Sequence, residues 1–102
     1  MIEHLVLFKV KPTASSEQIK DAVAALKKMK SEIPGIEDIS AGTNNSPEDK
    51  SHGYNFGLVV RFQNTNSRDE YITHPFHREV VEKFILPIVE DRESILVLDY
   101  DI

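Results

Sequence analysis

A chain of 102 residues is long enough for one hydrophobic core, and we expect residues 1–102 to form a single domain. The formal net charge is −5, with 17 acidic and 12 basic side chains interspersed along the chain. Such a chain offers no basic face to a nucleic-acid backbone or an anionic membrane surface, so we expect neither partner. The absence of cysteine excludes disulfides, thiolate nucleophiles and Cys-ligated zinc.

Targeting signals are not apparent in the sequence. The first residues lack a basic segment and carry too short an apolar run for a signal peptide. No stretch approaches the roughly 20 apolar residues of a membrane-spanning helix. We therefore expect a cytoplasmic protein.

The first half of the chain predicts a strand, a helix and a weaker strand. One face of the strand predicted over residues 2–10 carries Ile2, His4, Val6, Phe8 and Val10. Its other face is also apolar at the centre, so we expect both faces to be covered. Ser15 followed by Gln18 indicates a helix N-terminus, and the helical stripe comprises Ile19, Ala22, Val23, Leu26, Met29 and Ile33. Pro34-Gly35 should end this helix before a strand from about Ile36 to Thr43.

The second half begins with a polar, turn-rich stretch over residues 44–53. Residues 54–62 alternate as a strand, and residues 64–67 supply cap residues for a short helix. A longer helix should begin at Pro75, with apolar side chains directed inward at Val80, Val81, Phe84, Ile85 and Ile88. The continuous apolar run Ile95 to Leu98 predicts a central strand buried on both faces.

The order β-α-β-β-α-β predicts an α+β fold of the ferredoxin-like, split βαβ type, in which helices cover one face of a four-stranded antiparallel sheet. The opposite face would then carry Leu5, Leu7, Val59, Leu96 and Leu98. Each of these side chains could contribute about 1.5–3 kcal/mol if removed from water. An apolar sheet face of this size indicates an interaction surface, so we expect two chains to pack sheet to sheet as a two-fold homodimer.

The most informative stretch is residues 71–77, which brings together a tyrosine, two histidines and a proline. Because Pro75 has no N–H and disfavours helical geometry at the residue before it, one helix should stop near Thr73 and the next should begin at Pro75. Such a junction can aim the Tyr71 phenol and the His77 imidazole at one point. Both groups can exchange protons or hydrogen bonds with a substrate, and histidine titrates near neutral pH.

Each of these side chains also has a purely structural interpretation. His77 could bond only the backbone or solvent near a helix N-terminus, and Tyr71 could be a core aromatic. We expect His74 to serve as a structural or capping residue. His74 and His77 are three apart and could ligate a metal, but Pro75 breaks the helix that this spacing needs and no third ligand is evident, so we expect no metal site. His4 on an apolar strand face could equally be a buried histidine with satisfied hydrogen bonds.

Five short segments occur in a characteristic order: His4-Leu5-Val6-Leu7-Phe8-Lys9, Ile33-Pro34-Gly35-Ile36, Gly53-Tyr54, Tyr71-Ile72-Thr73-His74-Pro75-Phe76-His77 and Asp99-Tyr100. With these segments the chain resembles the stress-responsive A/B barrel domain family, whose members are dimeric α+β barrels. The likeness covers essentially the whole chain. It is more specific for the domain than for a reaction, because the fold hosts many activities.

The resemblance, through a plant cyclase of the family, implies a cavity between the sheet and the helices. In it His77 would be the general base, Tyr71 its hydrogen-bonding or substrate-orienting partner, and His4 a lining residue. The other implied lining residues are Val6, Phe8, Val23, Leu26, Phe56 and Val81. An aldol-type ring closure needs a base with a near-neutral pKa and a donor for the developing oxyanion. It requires no metal or organic cofactor, and we expect none.

Two departures from the family pattern point to a different cavity shape. The common Gly-Tyr-Thr-His entry into the third strand reads Gly53-Tyr54-Asn55-Phe56 here, so an aromatic residue replaces a polar cavity residue. The bulky aromatics that the cyclase places on its first helix correspond here to Ala22, Val23 and Leu26. We therefore do not expect activity on the same substrate.

Three functions remain consistent with the sequence. The first is a small-molecule protein that performs cofactor-free cyclisation, isomerisation or a related proton transfer on a carbonyl or phenolic compound. The second is a non-catalytic, stress-associated scaffold or binding protein. The third is a cofactor-independent oxygenase or haem protein with His77 as an axial ligand, although the chain has no tryptophan, an aromatic that such sites often use.

Overall fold

The computed structural model describes all 102 residues. Strand β1 spans Ile2–Phe8, helix α1 Ser16–Glu32, strand β2 Ile36–Thr43 and strand β3 Phe56–Phe62. Helix α2 (Thr65–Thr73) and helix α3 (Pro75–Val80) follow, and a π-helical segment (Val81–Ile85) continues α3. A 3₁₀ turn (Arg92–Ser94) leads into strand β4 (Ile95–Asp101).

The four strands form one antiparallel sheet in the order β2-β3-β1-β4. This order is the one that the ferredoxin-like plan requires, so the predicted fold class is confirmed. The helices cover the face that carries Val6, Phe8, Leu58, Val60 and Phe62, all of which are buried. No helix is both long and apolar enough to cross a membrane.

Helix α1 begins and ends where the sequence indicates. Ser15 and Gln18 bond each other's backbone N–H groups at 3.0 and 2.9 Å, which completes the predicted capping box. Ala22, Leu26 and Met29 are buried against the sheet. Gly35 follows the helix with φ at +90°, and a Cβ there would lie 2.5 Å from the side chain of Ser67. Both constraints require glycine at this turn.

Strand β1 is shorter than predicted, because regular pairing ends at Phe8. Beyond it, Val10 forms only an isolated bridge with Val89. The Asn55 side chain binds both backbone groups of Val10. Its Oδ1 accepts from the Val10 N–H at 2.8 Å, and its Nδ2 donates to the Val10 carbonyl at 3.2 Å. Asn55 therefore extends the pairing beyond Phe8, whose carbonyl accepts from the Asn55 backbone N–H at 3.0 Å.

The prediction that residues 95–98 form a central strand buried on both faces is wrong. Strand β4 lies at the sheet edge, and Leu96, Val97 and Leu98 are 47%, 59% and 64% exposed. The run is apolar because its residues serve two separate surfaces. Leu96 and Leu98 belong to the face that no helix covers, whereas Val97 lines an opening on the helix-covered face.

The uncovered sheet surface, which we call the outer face, is apolar at its centre. Leu5 is directly opposite Leu98 and Val59, and Leu7 is directly opposite Leu96. The five side chains predicted for this face therefore lie together across three neighbouring strands. At the margin, Arg61 donates twice to the Glu3 carboxylate, at 3.0 and 3.1 Å.

Candidate functional site

The junction between α2 and α3 has the predicted form. Helix α2 ends at Thr73, His74 is extended with φ −65° and ψ 134°, and Pro75 is the first residue of α3. The His74 imidazole caps the new helix, because its Nδ1 accepts from the Phe76 N–H at 3.0 Å. The helix break and the capping role predicted for His74 are both confirmed.

This bend brings the tyrosine and the second histidine into contact. The ring centroids of Tyr71 and His77 lie 4.2 Å apart, with an interplanar angle of 36°. Tyr71 also packs against Phe62 and His4, at centroid distances of 4.9 and 5.6 Å. The phenol is therefore held among three other rings, and its residue is only 2% exposed.

The His77 imidazole is fixed in one tautomer by the backbone. Its Nδ1 lies 3.2 Å from the Ile72 carbonyl oxygen, which can only accept, so Nδ1 carries the proton. Nε2 then holds the free lone pair of the neutral ring. Burial lowers the pKa of His77 below 6.5, and nearby His4 and His74 act in the same direction against the opposing carbonyl bond. At neutral pH the ring is thus an unprotonated base.

The Tyr71 hydroxyl has the opposite character. Burial raises its pKa far above the ordinary value of 10.0, and the charge of Asp99 adds to that effect. The hydroxyl makes no hydrogen bond within the protein, yet it is not a sealed, unsatisfied group. It therefore remains protonated and can donate a hydrogen bond into the adjacent cavity.

A second imidazole is held beside this pair by a charged network. The Nδ1 of His4 donates to Asp99 Oδ1 at 2.6 Å, and Arg68 Nη1 donates to Asp99 Oδ2 at 2.9 Å. His4 is 6% exposed. Because the Asp99 carboxylate accepts a hydrogen bond from Nδ1, this nitrogen carries the proton. The lone pair of the neutral His4 ring therefore resides on Nε2, as it does in His77.

These polar groups lie at a cavity of about 320 Å³ between the sheet and the helices, which we call the main cavity because Tyr71, His77 and His4 all line it. Its walls comprise His4, Val6, Phe8, Leu26, Leu58, Tyr71, Ile72, His77, Val81, Ile85, Ile95 and Val97. Seven of the nine residues expected at the site are among them. No group of three His, Asp or Glu side chains is placed to hold a metal ion.

Val23 and Phe56 were expected to line the cavity and do not. Phe56 is buried beside Phe8, with centroids 5.7 Å apart, and Leu58 provides the β3 contribution to the wall instead. Val23 packs at the margin of the core, while Leu26 of the same helix reaches the cavity. The apolar stripe of α1 is longer than the cavity, so helical spacing alone did not separate lining residues from core residues.

The sequence interpretation did not include Asp99 and Arg68 among the site residues. In the sequence, Asp99 stands out only as part of the terminal Asp99-Tyr100 pair. Its position could have been found by combining two expectations: alternation along β4 places it on the same face as Val97, and the ferredoxin-like order places β4 beside β1. Arg68 gave no such signal, because its contact with Asp99 depends on how α2 crosses the sheet.

The fold and the apolar outer face together define a ferredoxin-like α+β domain of the type seen in dimeric proteins. One such structure, a dimeric ferredoxin-like protein of unknown function from Jannaschia sp., superposes with a TM-score of 0.84 at 27% identity, over 99% of this chain and 98% of that one. The model of the Stress Responsive A/B Barrel Domain matches residues 2–102, and the chain therefore belongs to that family.

Two proteins that are similar to this chain are named for enzymatic activities. Olivetolic acid cyclase from Cannabis sativa is 24% identical over 102 residues, which cover 97% of this chain and 94% of the cyclase. Hydroxynitrile lyase from Passiflora edulis has the same fold, with a TM-score of 0.85 at 24% identity over 99% of this chain and 92% of the lyase.

Proposed function

We propose that this protein binds an apolar carbonyl or phenolic compound in the main cavity and catalyses a cofactor-free proton transfer on it, of the cyclase or isomerase type. The proposal depends on one observation. A neutral imidazole with a free Nε2 and a phenol with an unused hydroxyl adjoin each other at a cavity whose other walls are almost entirely apolar.

The chemistry requires only the groups at this end of the cavity. His77 Nε2 removes a proton from the carbon beside a carbonyl, and the electron pair of that C–H bond moves onto the carbonyl oxygen. The Tyr71 hydroxyl donates a hydrogen bond to the resulting enolate oxygen. For isomerisation, the imidazolium then returns its proton to carbon. For cyclisation, the enolate carbon attacks a second carbonyl of the same compound, a C–C bond forms as the C=O π pair moves onto oxygen, and the imidazolium protonates the resulting ring alkoxide.

His4 has a positioning role in this scheme. Its ring packs edge-on against Tyr71, and the Asp99 carboxylate holds its orientation. Because the His4 ring is held in place, it restricts the movement of the Tyr71 ring on the side where the two rings touch. The apolar walls exclude water, which strengthens each hydrogen bond made at the reacting carbonyl.

We also propose that the chain forms a homodimer through the outer face. The support is the cluster of apolar side chains around Leu5 and Leu98, on a surface with no helix to cover it. Structural relatives with the same fold are dimeric. Pairing of two such faces would bury this surface symmetrically.

The catalytic proposal is tested with a neutral, apolar ketone. We expect the protein to accelerate exchange of the α-protons of 4-phenyl-2-butanone in D₂O, followed by proton NMR. His77→Asn should lower that rate about 100-fold, because Asn can still donate to the Ile72 carbonyl but offers no base. His52→Asn is the matched control, since His52 is an exposed loop residue outside the cavity. Equal rates for the two variants would refute the proposal.

A second candidate is a non-catalytic binding or scaffold protein. The observation that favours it is the packing of Tyr71 among Phe62, His4 and His77, which resembles an aromatic core. This candidate predicts that His77→Asn changes the free energy of unfolding but not the rate of exchange. The same two variants therefore distinguish the candidates.

A further inference from the structure

A second concavity adjoins the main cavity, and it has a different chemical character. This adjoining pocket, of about 350 Å³, is lined by Ile72, His77, Arg78, Val81, Glu82, Leu86 and Arg92. It shares Ile72, His77 and Val81 with the main cavity. The proposed base therefore borders both spaces, and a ligand that extends from one space into the other would pass beside His77.

The arginines of the adjoining pocket are unusual within this chain. Of the four arginines, Arg61 and Arg68 form ion pairs with carboxylates, whereas Arg78 and Arg92 form none within 4.0 Å. The chain carries five more acidic than basic side chains, so available carboxylates are plentiful. The two arginines without a carboxylate partner nevertheless line the same pocket.

The one carboxylate in that lining does not neutralise them. Glu82 lies four residues after Arg78, a spacing at which helical side chains can pair, yet no ion pair forms between them. On the same helical stretch, Glu79 and Lys83 do pair, at 2.7 Å. The adjoining pocket therefore keeps an excess of positive charge beside His77.

We propose that the ligand is an apolar carboxylic acid, with its hydrocarbon part in the main cavity and its carboxylate between Arg78 and Arg92. The inference rests on the proposed function, because it identifies the class of compound that the same site accepts. Guanidinium groups bind carboxylates through paired N–H donors, and two on one pocket wall suit a single anionic head. The chain length of the acid would decide how far its reactive carbonyl extends past His77.

The test compares an acid with a neutral compound of the same length. Isothermal titration calorimetry with octanoate and with 1-octanol measures the contribution of the charged head. Octanoate should bind the wild-type protein more tightly than octanol does. In Arg78→Gln/Arg92→Gln the dissociation constant of octanoate should rise about tenfold, while that of octanol stays unchanged. A tenfold change is the expected size because both arginines are accessible to solvent, which weakens their interaction with a carboxylate.

The matched control is Lys20→Gln/Lys27→Gln, which changes net charge equally at exposed positions of α1 outside both cavities. Octanoate should bind this variant as it binds the wild type. Equal loss in both variants, or no loss in either, would overturn the inference. Loss of the dimer in the arginine variant would also overturn it, because the arginines would then belong to an interface.

Failure of the inference can be told apart from failure of the proposed function. Suppose that octanol binds and that ketone exchange depends on His77, while the dissociation constant of octanoate is the same with and without the two arginines. That result refutes only the claim that Arg78 and Arg92 bind a carboxylate. If neither compound binds and exchange is not accelerated, both proposals fail together.

Discussion

The two faces of the sheet use the same strands and are both apolar, yet they differ in how the apolar surface is organised. Along β1, the helix-covered face presents His4, Val6 and Phe8, while the outer face presents Leu5 and Leu7. The covered face contains a cavity with polar groups at one end, whereas aliphatic side chains form the centre of the outer face. Apolar composition alone therefore does not distinguish a binding site from an association surface.

What distinguishes the faces is the presence of polar groups that the protein itself leaves unused. On the covered face, His77 Nε2 and the Tyr71 hydroxyl have no partner within the chain. On the outer face, the nearest charged groups, Glu3 and Arg61, satisfy each other. Unused donors and acceptors at an apolar cavity suit a ligand, while a satisfied margin around an apolar centre suits a second copy of the chain.

The largest expected effect is on the outer face. In the proposed homodimer, Leu98→Glu should raise the dissociation constant about 1,000-fold, because an aliphatic contact between the two outer faces is replaced by an unpaired charge. Size-exclusion chromatography with light scattering, from about 1 to 100 µM protein, measures the change. Leu98→Met is the control and should remain dimeric. A wild-type protein that is monomeric throughout this range would refute the assignment of the outer face.

The sequence predicted the covered face better than the edge of the sheet. Alternation in β1 placed Ile2, His4, Val6 and Phe8 on one face, where all four are buried, and the proline in residues 71–77 correctly located the helix junction. Both signals are local, since they depend on strand periodicity and on backbone chemistry. The same reasoning failed for β4. A continuous apolar run is expected both for a central strand that is buried on both faces and for an edge strand whose two faces contribute to two different surfaces.

The candidate site shows a similar limit. The contact between Tyr71 and His77 follows from residues close in the sequence, so the junction alone could suggest it. The Arg68–Asp99–His4 network joins three elements that are far apart in the chain. Its geometry depends on sheet register and on the crossing of α2, which no local pattern specifies. The π-helical turn at Val81–Ile85, which contributes to the cavity wall, was likewise not indicated by the sequence.

The next prediction asks whether Tyr71 serves the cavity or only the core. Tyr71→Phe should lower the rate of ketone exchange about tenfold, because the enolate loses its hydrogen-bond donor. The free energy of unfolding should change by less than about 1 kcal/mol, since the ring remains packed and the hydroxyl has no protein partner. Tyr54→Phe, at a loop tyrosine outside the cavity, is the control and should leave the rate unchanged. A large loss of stability with an unchanged rate would assign Tyr71 to the core.

The smallest expected effect is a dependence on pH that only the covered face should show. Since the pKa of His77 is lowered from 6.5, the neutral base predominates above pH 6.5, and the exchange rate per mole of protein should be level there. The rate should fall only as the pH drops from 6.5 toward the pKa of His77 in the folded protein. Stability should follow the same direction. As the pH falls from 6.5 toward the pKa of His77 in the folded protein, the unfolded chain binds more protons at this residue, so the free energy of unfolding decreases. His77→Asn should lose this contribution and His52→Asn should keep it, as measured by denaturant unfolding between pH 5 and 8. A rate that declines already above pH 6.5, and identical stability profiles for the two variants, would show that the imidazole is not held as a desolvated base.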